Sequence, residues 1–154
     1  MNKLILVLLL FALTVTASLA QGKKKQKRID HVIAEARTYI GTPYVWGGNT
    51  KKGVDCSGLI HNCYKKINVN LPRTAEEQSK IGSSKSWGSI RPGDIVYFKF
   101  KQKRDKWYHS GMITSVDGDE IKFIHASSSR GVVESNLNSD YYKKNVKKFR
   151  RVIK

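Results

Sequence analysis

The 154-residue sequence carries 29 basic and 12 acidic side chains, four histidines and two cysteines, and 40% of it is apolar. That apolar share excludes a fully disordered or low-complexity chain, and two cysteines are too few for a disulfide framework. The formal charge of +17 points to a polyanionic partner, yet no helix-turn-helix or aromatic RNA-binding strand motif accompanies it, so nucleic acid is not expected.

Met1-Asn2-Lys3 is a short cationic start, Leu4 to Leu13 is an unbroken apolar run, and Ser18-Leu19-Ala20 places small residues before Gln21. This is the pattern of a secretory signal peptide cut after Ala20, and it implies an exported, periplasmic or extracellular protein. Ten apolar residues span only ~15 Å as a helix against the ~30 Å of a bilayer core, so a membrane anchor is the weaker reading. The expected organisation is a signal peptide at 1–20, a basic disordered arm at 21–28 and one compact domain at 29–154. In the arm, Lys23, Lys24, Lys25, Lys27 and Arg28 form either a solvated tail or a tether to anionic wall or membrane polymers.

Ile29, Val32, Ile33, Ala36 and Ile40 share a helical face that Gly41 is placed to end. Thr42 to Gly53 is a Gly-rich loop holding Tyr44 and Trp46, in which backbone passes close to something. Asp55 to Ile67 reads as a second helix with Cys56, Leu59, Ile60, Cys63 and Ile67 on one face. Seven residues apart on a helix, the two cysteines lie ~10 Å apart, beyond the ~7 Å bridging limit, and are expected to be free thiols. Thr74-Ala75-Glu76-Glu77 is a capping box opening a short third helix that Gly82 ends.

Beyond it the period falls to two. Pro92-Gly93-Asp94 launches a strand over Ile95 to Phe100, His109 to Val116 is another, and Asp117-Gly118-Asp119 turns it into Ile121 to Ala126. A last strand falls within Lys147 to Ile153. Helices first and strands afterwards predict an α+β fold, with N-terminal helices packed on a curved antiparallel sheet.

Asp55-Cys56-Ser57-Gly58 follows the Gly-rich loop and opens an apolar helix, placing the Cys56 sulfur where unpaired N–H groups and the helix dipole favour a thiolate. Ser57 and Gly58 leave room for a substrate, and the same N–H groups suit an oxyanion. The competing reading is a small hydrophobe on the core face of the helix, and the local sequence leaves both open. Of the histidines, His31 and His61 read as surface residues, while His109 and His125 fall on consecutive strands. If residues 116 and 120 pair across a three-residue loop, His109 lies diagonal to His125 on one face of the sheet. Cys56 then attacks, His109 takes and returns its proton, and His125 orients the His109 ring. Cys63 reads as core, and Trp87 and Trp107 as packing or rim aromatics. No Cys/His set has structural-zinc spacing, so neither metal nor cofactor is expected.

The segments TPYVWGG, GVDCSGL, LPRTAEEQ, RPGDIVYF, HSGM and FIHASSSRGV, in this order and spacing, resemble the NlpC-type family of papain-like cell-wall cysteine peptidases over about Ile29 to Ile153. The resemblance implies a papain-like core that hydrolyses peptide stems or cross-links of bacterial peptidoglycan. It places Cys56 on the nucleophile, His109 on the general base and His125 on the third, polar position of the triad. Tyr44 falls on the family's motif tyrosine, whose hydroxyl helps the oxyanion or substrate. Asp55, Ser57 and Arg73 match positions that shape the site or touch substrate. Ser110 and Met112 depart from the usual aliphatics after the base, Leu59 stands where Phe is common, and a Lys-rich stretch from Lys99 to Lys106 lengthens the approach to His109.

The expected function is a secreted peptidoglycan endopeptidase acting through a thioester on Cys56. Its rivals are a non-catalytic binder of wall polymers and a same-fold amidase or acyltransferase with another acyl substrate.

Overall fold

The structure, a computed structural model, describes residues 3–100 and 109–154, with side chains from residue 18 onward. Trp107 and most of the Lys-rich stretch before His109 lie outside the described residues. Helix α1 runs from Lys3 to Arg37 and takes in the segment 21–28, which was expected to be disordered. Lys, Gln and Arg lose little side-chain freedom in a helix, and Gly22 costs only ~1 kcal/mol. Gln26 donates to Asp30 one turn on at 2.8 Å, and the Arg28 guanidinium reaches the Ile67 carbonyl at 3.4 Å. The basic segment is thus a helical extension of the domain. Gly41, at φ +85°, turns the chain after α1. Among the described residues no helix is long and apolar enough to cross a membrane.

A two-stranded ribbon, β1 (Asn49–Thr50) and β2 (Gly53–Val54), closes the Gly-rich loop. Helix α2 (Cys56–Lys65) follows at once, and α3 (Ala75–Gln78) opens on Thr74, whose hydroxyl accepts the Glu77 N–H. The remaining strands are β3 (Ser83–Lys85), β4 (Ile95–Phe98), β5 (His109–Asp117), β6 (Glu120–Ser127), β7 (Gly131–Asn136) and β8 (Val146–Arg151), with helix α4 (Asp140–Lys143) before β8. They form one antiparallel sheet in the order β3-β8-β4-β5-β6-β7. This is the expected α+β class.

Both faces of the sheet are covered. Ile95, Tyr97, Met112, Ile124 and Ala126 pack against Val32, Ile33 and Ala36 of α1 and Leu59, Ile60 and Cys63 of α2. The alternate residues Val96, Phe98, Ile113, Ile121 and Phe123 form a second core with Leu137, Tyr142 and Phe149. Each fully buried aliphatic or Phe side chain contributes ~1.5–3 kcal/mol, which explains why β4 is apolar at every position. At the base of β4, Asp94 is 1% exposed and holds Arg151 through two bonds of 2.7 Å, fastening the turn to β8.

The hairpin that carries the histidines closes differently from expectation. Asp117 pairs with Glu120 across a two-residue turn, not 116 with 120 across three, and Thr114 is then left over as a bulge between Ile113 and Ser115. The tighter turn shifts the pairing by one residue and the bulge shifts it back. Ile113 meets Phe123 and Met112 meets Ile124, the register expected at the histidines.

Candidate active site

Cys56 is the first residue of α2, and Asp55 caps the helix from extended backbone at φ −93°, ψ 175°. Its Oδ1 accepts the Gly58 N–H at 2.6 Å, the Ser57 hydroxyl at 3.1 Å and Arg73 Nη1 at 2.9 Å. Its Oδ2 accepts the Gly47 N–H at 3.0 Å and Arg73 Nη2 at 2.9 Å. Arg73 also donates to the Gly48 carbonyl at 2.9 Å, and Gln78 to the Ser57 carbonyl at 2.9 Å. Gly58 lies so close under the Gly48 carbonyl that a Cβ would collide with it, which explains the glycines here. Asp55, Ser57 and Arg73 come together as a clamp on the start of α2 and the loop before it, with both Asp55 carboxylate oxygens engaged.

Cys56 is half-buried as a residue, and the backbone N–H groups of Ser110 and Ser57 point to its sulfur. Ser110 adjoins His109, so the start of β5 lies against the start of α2. Burial raises the thiol's pKa, with Asp55 adding to the rise, and these outweigh the N–H groups that lower it. A helix N-terminus alone suggested the opposite direction. The balance favours the thiol form. Tyr44 is bridged to Val54 just before Cys56, and burial, then the charges of Cys56 and Asp55, push its hydroxyl up to about 12. It stays a donor at neutral pH.

His109 Nε2 lies 2.8 Å from His125 Nδ1, the rings edge to face at 5.0 Å between centroids. His125 is 2% exposed, stacked on Phe123 at 4.7 Å, and its Nε2 meets Ser135 Oγ at 3.1 Å and Tyr142 Oη at 3.2 Å. Burial first, then the charges of His109 and Arg130, push its pKa down to about 3, so the ring is neutral. His109 is flanked by Phe98 and Phe100. An open groove of about 810 Å³ runs from Tyr44 and His109 past His125 to Ser127, Tyr141 and Lys144. Among the described residues no group of three or more His, Cys, Asp or Glu is placed to hold a metal ion.

Residues 41–151 match the NlpC/P60 family. The chain belongs to the NlpC/P60 family. It is 39% identical over 122 residues to the gamma-DL-glutamyl hydrolase of Bacillus subtilis, covering 78% of this chain and 28% of that protein. It is 36% identical over 114 residues to the murein DD-endopeptidase MepS/murein LD-carboxypeptidase of Escherichia coli, covering 73% of this chain and 57% of that one. The fold of an NlpC/P60 family protein from Bacillus cereus matches with a TM-score of 0.73 at 29% identity, over 82% of this chain and 40% of that one. The chain thus spans less than two thirds of each of these relatives.

Within this NlpC/P60 domain three residues around His125 escaped the sequence reading. Ser135 sits on β7, a strand whose GVVESN sequence has too few apolar residues to stand out. The hairpin from Ser127 to Gly131, with Gly131 at φ +69°, was the missed signal: it pairs His125 with Val133 and sets Ser135 diagonal to it. Tyr142 comes from the one-turn helix α4, and Arg130 from the tip of that same hairpin. Of the other histidines, His31 is exposed, but His61 is half-buried and binds the Leu71 carbonyl at 2.7 Å. Cys63 is fully buried in the core.

Proposed function

We propose that this chain is an exported cysteine endopeptidase of peptidoglycan, cutting stem peptides or their cross-links through a thioester on Cys56. The observation that carries the reading is the 2.8 Å contact between His109 Nε2 and His125 Nδ1 beside a helix-start cysteine. His125 accepts the His109 Nε2–H, which leaves His109 Nδ1 as the base. That nitrogen takes the thiol proton as sulfur attacks the scissile carbonyl. The tetrahedral oxyanion is met by N–H groups at the start of α2 and by the Tyr44 hydroxyl. Collapse breaks the C–N bond, and His109 returns the proton to the leaving amine. Water, deprotonated by the same nitrogen, then cleaves the thioester.

The relatives named for murein and γ-glutamyl hydrolysis support a substrate of peptidoglycan type, and the charge of +17 suits a wall rich in carboxylates. The apolar run and small residues before Gln21 support export with cleavage after Ala20, which N-terminal sequencing of secreted protein checks. Lys23, Lys24, Lys25, Lys27 and Arg28, in the second half of α1, suit a tether to anionic polymers.

The test is mass spectrometry of muropeptides incubated with wild type, Cys56→Ala and His109→Ala, with circular dichroism to confirm folding. Both variants are expected to lose turnover nearly completely. A folded, active Cys56→Ala protein would overturn the reading.

A further inference from the structure

His125 occupies a place where a second imidazole is a hazard as well as a help. If it picked up a proton, its Nδ1 would no longer accept the His109 Nε2–H, and the proton taken from Cys56 would meet a neighbouring positive charge. The structure places one more group against this ring. Arg130, exposed at the tip of the β6–β7 hairpin, extends Nη2 to Ser135 Oγ at 3.3 Å and to Tyr142 Oη at 3.5 Å, the two oxygens that meet His125 Nε2. We propose that Arg130 is a positioning residue of the site: its guanidinium, held over the Ser135 and Tyr142 oxygens, steadies the two hydroxyls that face His125 Nε2 and keeps a second proton off that ring. The proton taken from Cys56 then stays on His109. The proposal rests on the cysteine-peptidase reading above.

The contact with His109 sets the tautomer. A guanidinium only donates, so each oxygen gives it one lone pair. Nε2 can meet these two hydroxyls either as a lone pair or as an N–H; with the His109 Nε2–H donating to Nδ1, as in the mechanism above, the ring proton falls on Nε2 and faces both oxygens. The opposite nitrogen, Nδ1, is then an acceptor, as a base at His109 requires.

Charge works in the same direction. The ring faces His109 from β5, Tyr142 from α4, Ser135 from β7 and Arg130 from the hairpin tip, with Lys144 further along the groove. Glu134, on β7 beside His125, is committed to Arg37 at 3.1 Å. Arg130 is the fixed cation in this set that is linked to His125 through its own hydrogen-bond partners.

The experiment uses the full chain with muropeptide as substrate. For Arg130→Ala, the acid limb of the kcat/KM profile is expected to move up by ~0.5–1 pH unit, the effect of removing a unit charge a few Å away. Turnover is expected to fall ~3–10-fold near neutral pH at nearly constant KM. Arg130→Lys, which keeps the charge, is expected to restore the limb. A uniform loss at every pH, with the limb unmoved, would make Arg130 merely structural and overturn the proposal. Nitrogen-15 NMR of the histidine rings is a second readout and needs no turnover: wild type is expected to show His125 protonated at Nε2, and an Nδ1–H ring would overturn the assignment. Failure of the underlying reading would show elsewhere, as turnover by Cys56→Ala.

Discussion

On the loop side of Cys56, Asp55 and Arg73 meet as a two-pronged ion pair that also ties down Ser57, Gly47 and Gly48. On the strand side, His125 is held between Phe123 and Tyr142 by contacts to neutral groups, with a charge at Arg130 linked to it through Ser135 and Tyr142. The first network fixes a backbone; strong, charge-assisted bonds suit it because nothing there has to change state. In the proposed mechanism the second must let a proton arrive and leave, and a carboxylate at the place of His125 would hold that proton more tightly than a neutral imidazole. On that reading one side of Cys56 is built for rigidity and the other for exchange.

The comparison can be broken most severely at Asp55. Asp55→Ala removes the cap of α2 and leaves Arg73 without its partner. The expected loss is about 2–4 kcal/mol, from ~1 for the cap and the remainder for the broken pair, discounted because Arg73 is 35% exposed. Urea denaturation measures it, and a midpoint equal to wild type would show that the clamp does not hold the fold.

A smaller effect is expected on the strand side. His125→Ala should leave the protein folded and lower turnover by ~10²-fold, the lower end of what a general base contributes, while His125→Asn, which still accepts a hydrogen bond, should keep more. Equal losses for both variants would mean that His125 acts by filling space.

The two sides also part company in acid. His125 titrates at about 3 in the fold against 6.5 when unfolded, so the unfolded chain binds the extra proton. Its contribution to stability is complete above pH 6.5 and is lost progressively as pH falls toward 3. His125→Asn should therefore flatten the decline of the urea midpoint over that window, and an unchanged slope would refute the depressed value.

The smallest effect separates the two thiols. Iodoacetamide should modify Cys56 in the native protein and Cys63 only after denaturation, because Cys63 is 0% exposed. With its pKa raised by burial, Cys56 should react faster as pH climbs, without levelling off near neutrality. Modification of Cys63 first would put the wrong sulfur in the site.

Much of this was legible in the sequence because the motifs were local. Asp55-Cys56-Ser57-Gly58 contains its own cap, and Thr74 to Glu77 likewise. The two-residue period located β4, β5 and β6, and with them both histidines. What escaped depended on contacts between distant segments. Ser135, Tyr142 and Arg130 matter only because β7 and α4 fold onto His125, and neither element has a strong pattern of its own. The direction of the Cys56 pKa escaped for the same reason: a helix start can be read from four residues, but the burial that raises the thiol depends on how the whole chain packs around it. The basic segment is helical because its Lys, Gln and Arg residues favour helix, a propensity that its charge density obscures.

The hairpin with the bulge has a further consequence, which concerns parity. An odd number of residues separates the paired Ile113 and Phe123. Such a segment closes either with a three-residue loop or with a two-residue turn and one residue to spare, and both leave Ile113 opposite Phe123. The buried pair sets the alignment, and the tip adapts to whatever length it is given. Adding or removing one residue between Thr114 and Asp119 makes the count even, so the spare residue is absorbed and His109 keeps its place beside His125. The tip is therefore a site where chain length is free to drift, and where a tag or a reporter peptide can be spliced in without disturbing the histidines at the other end of the same two strands.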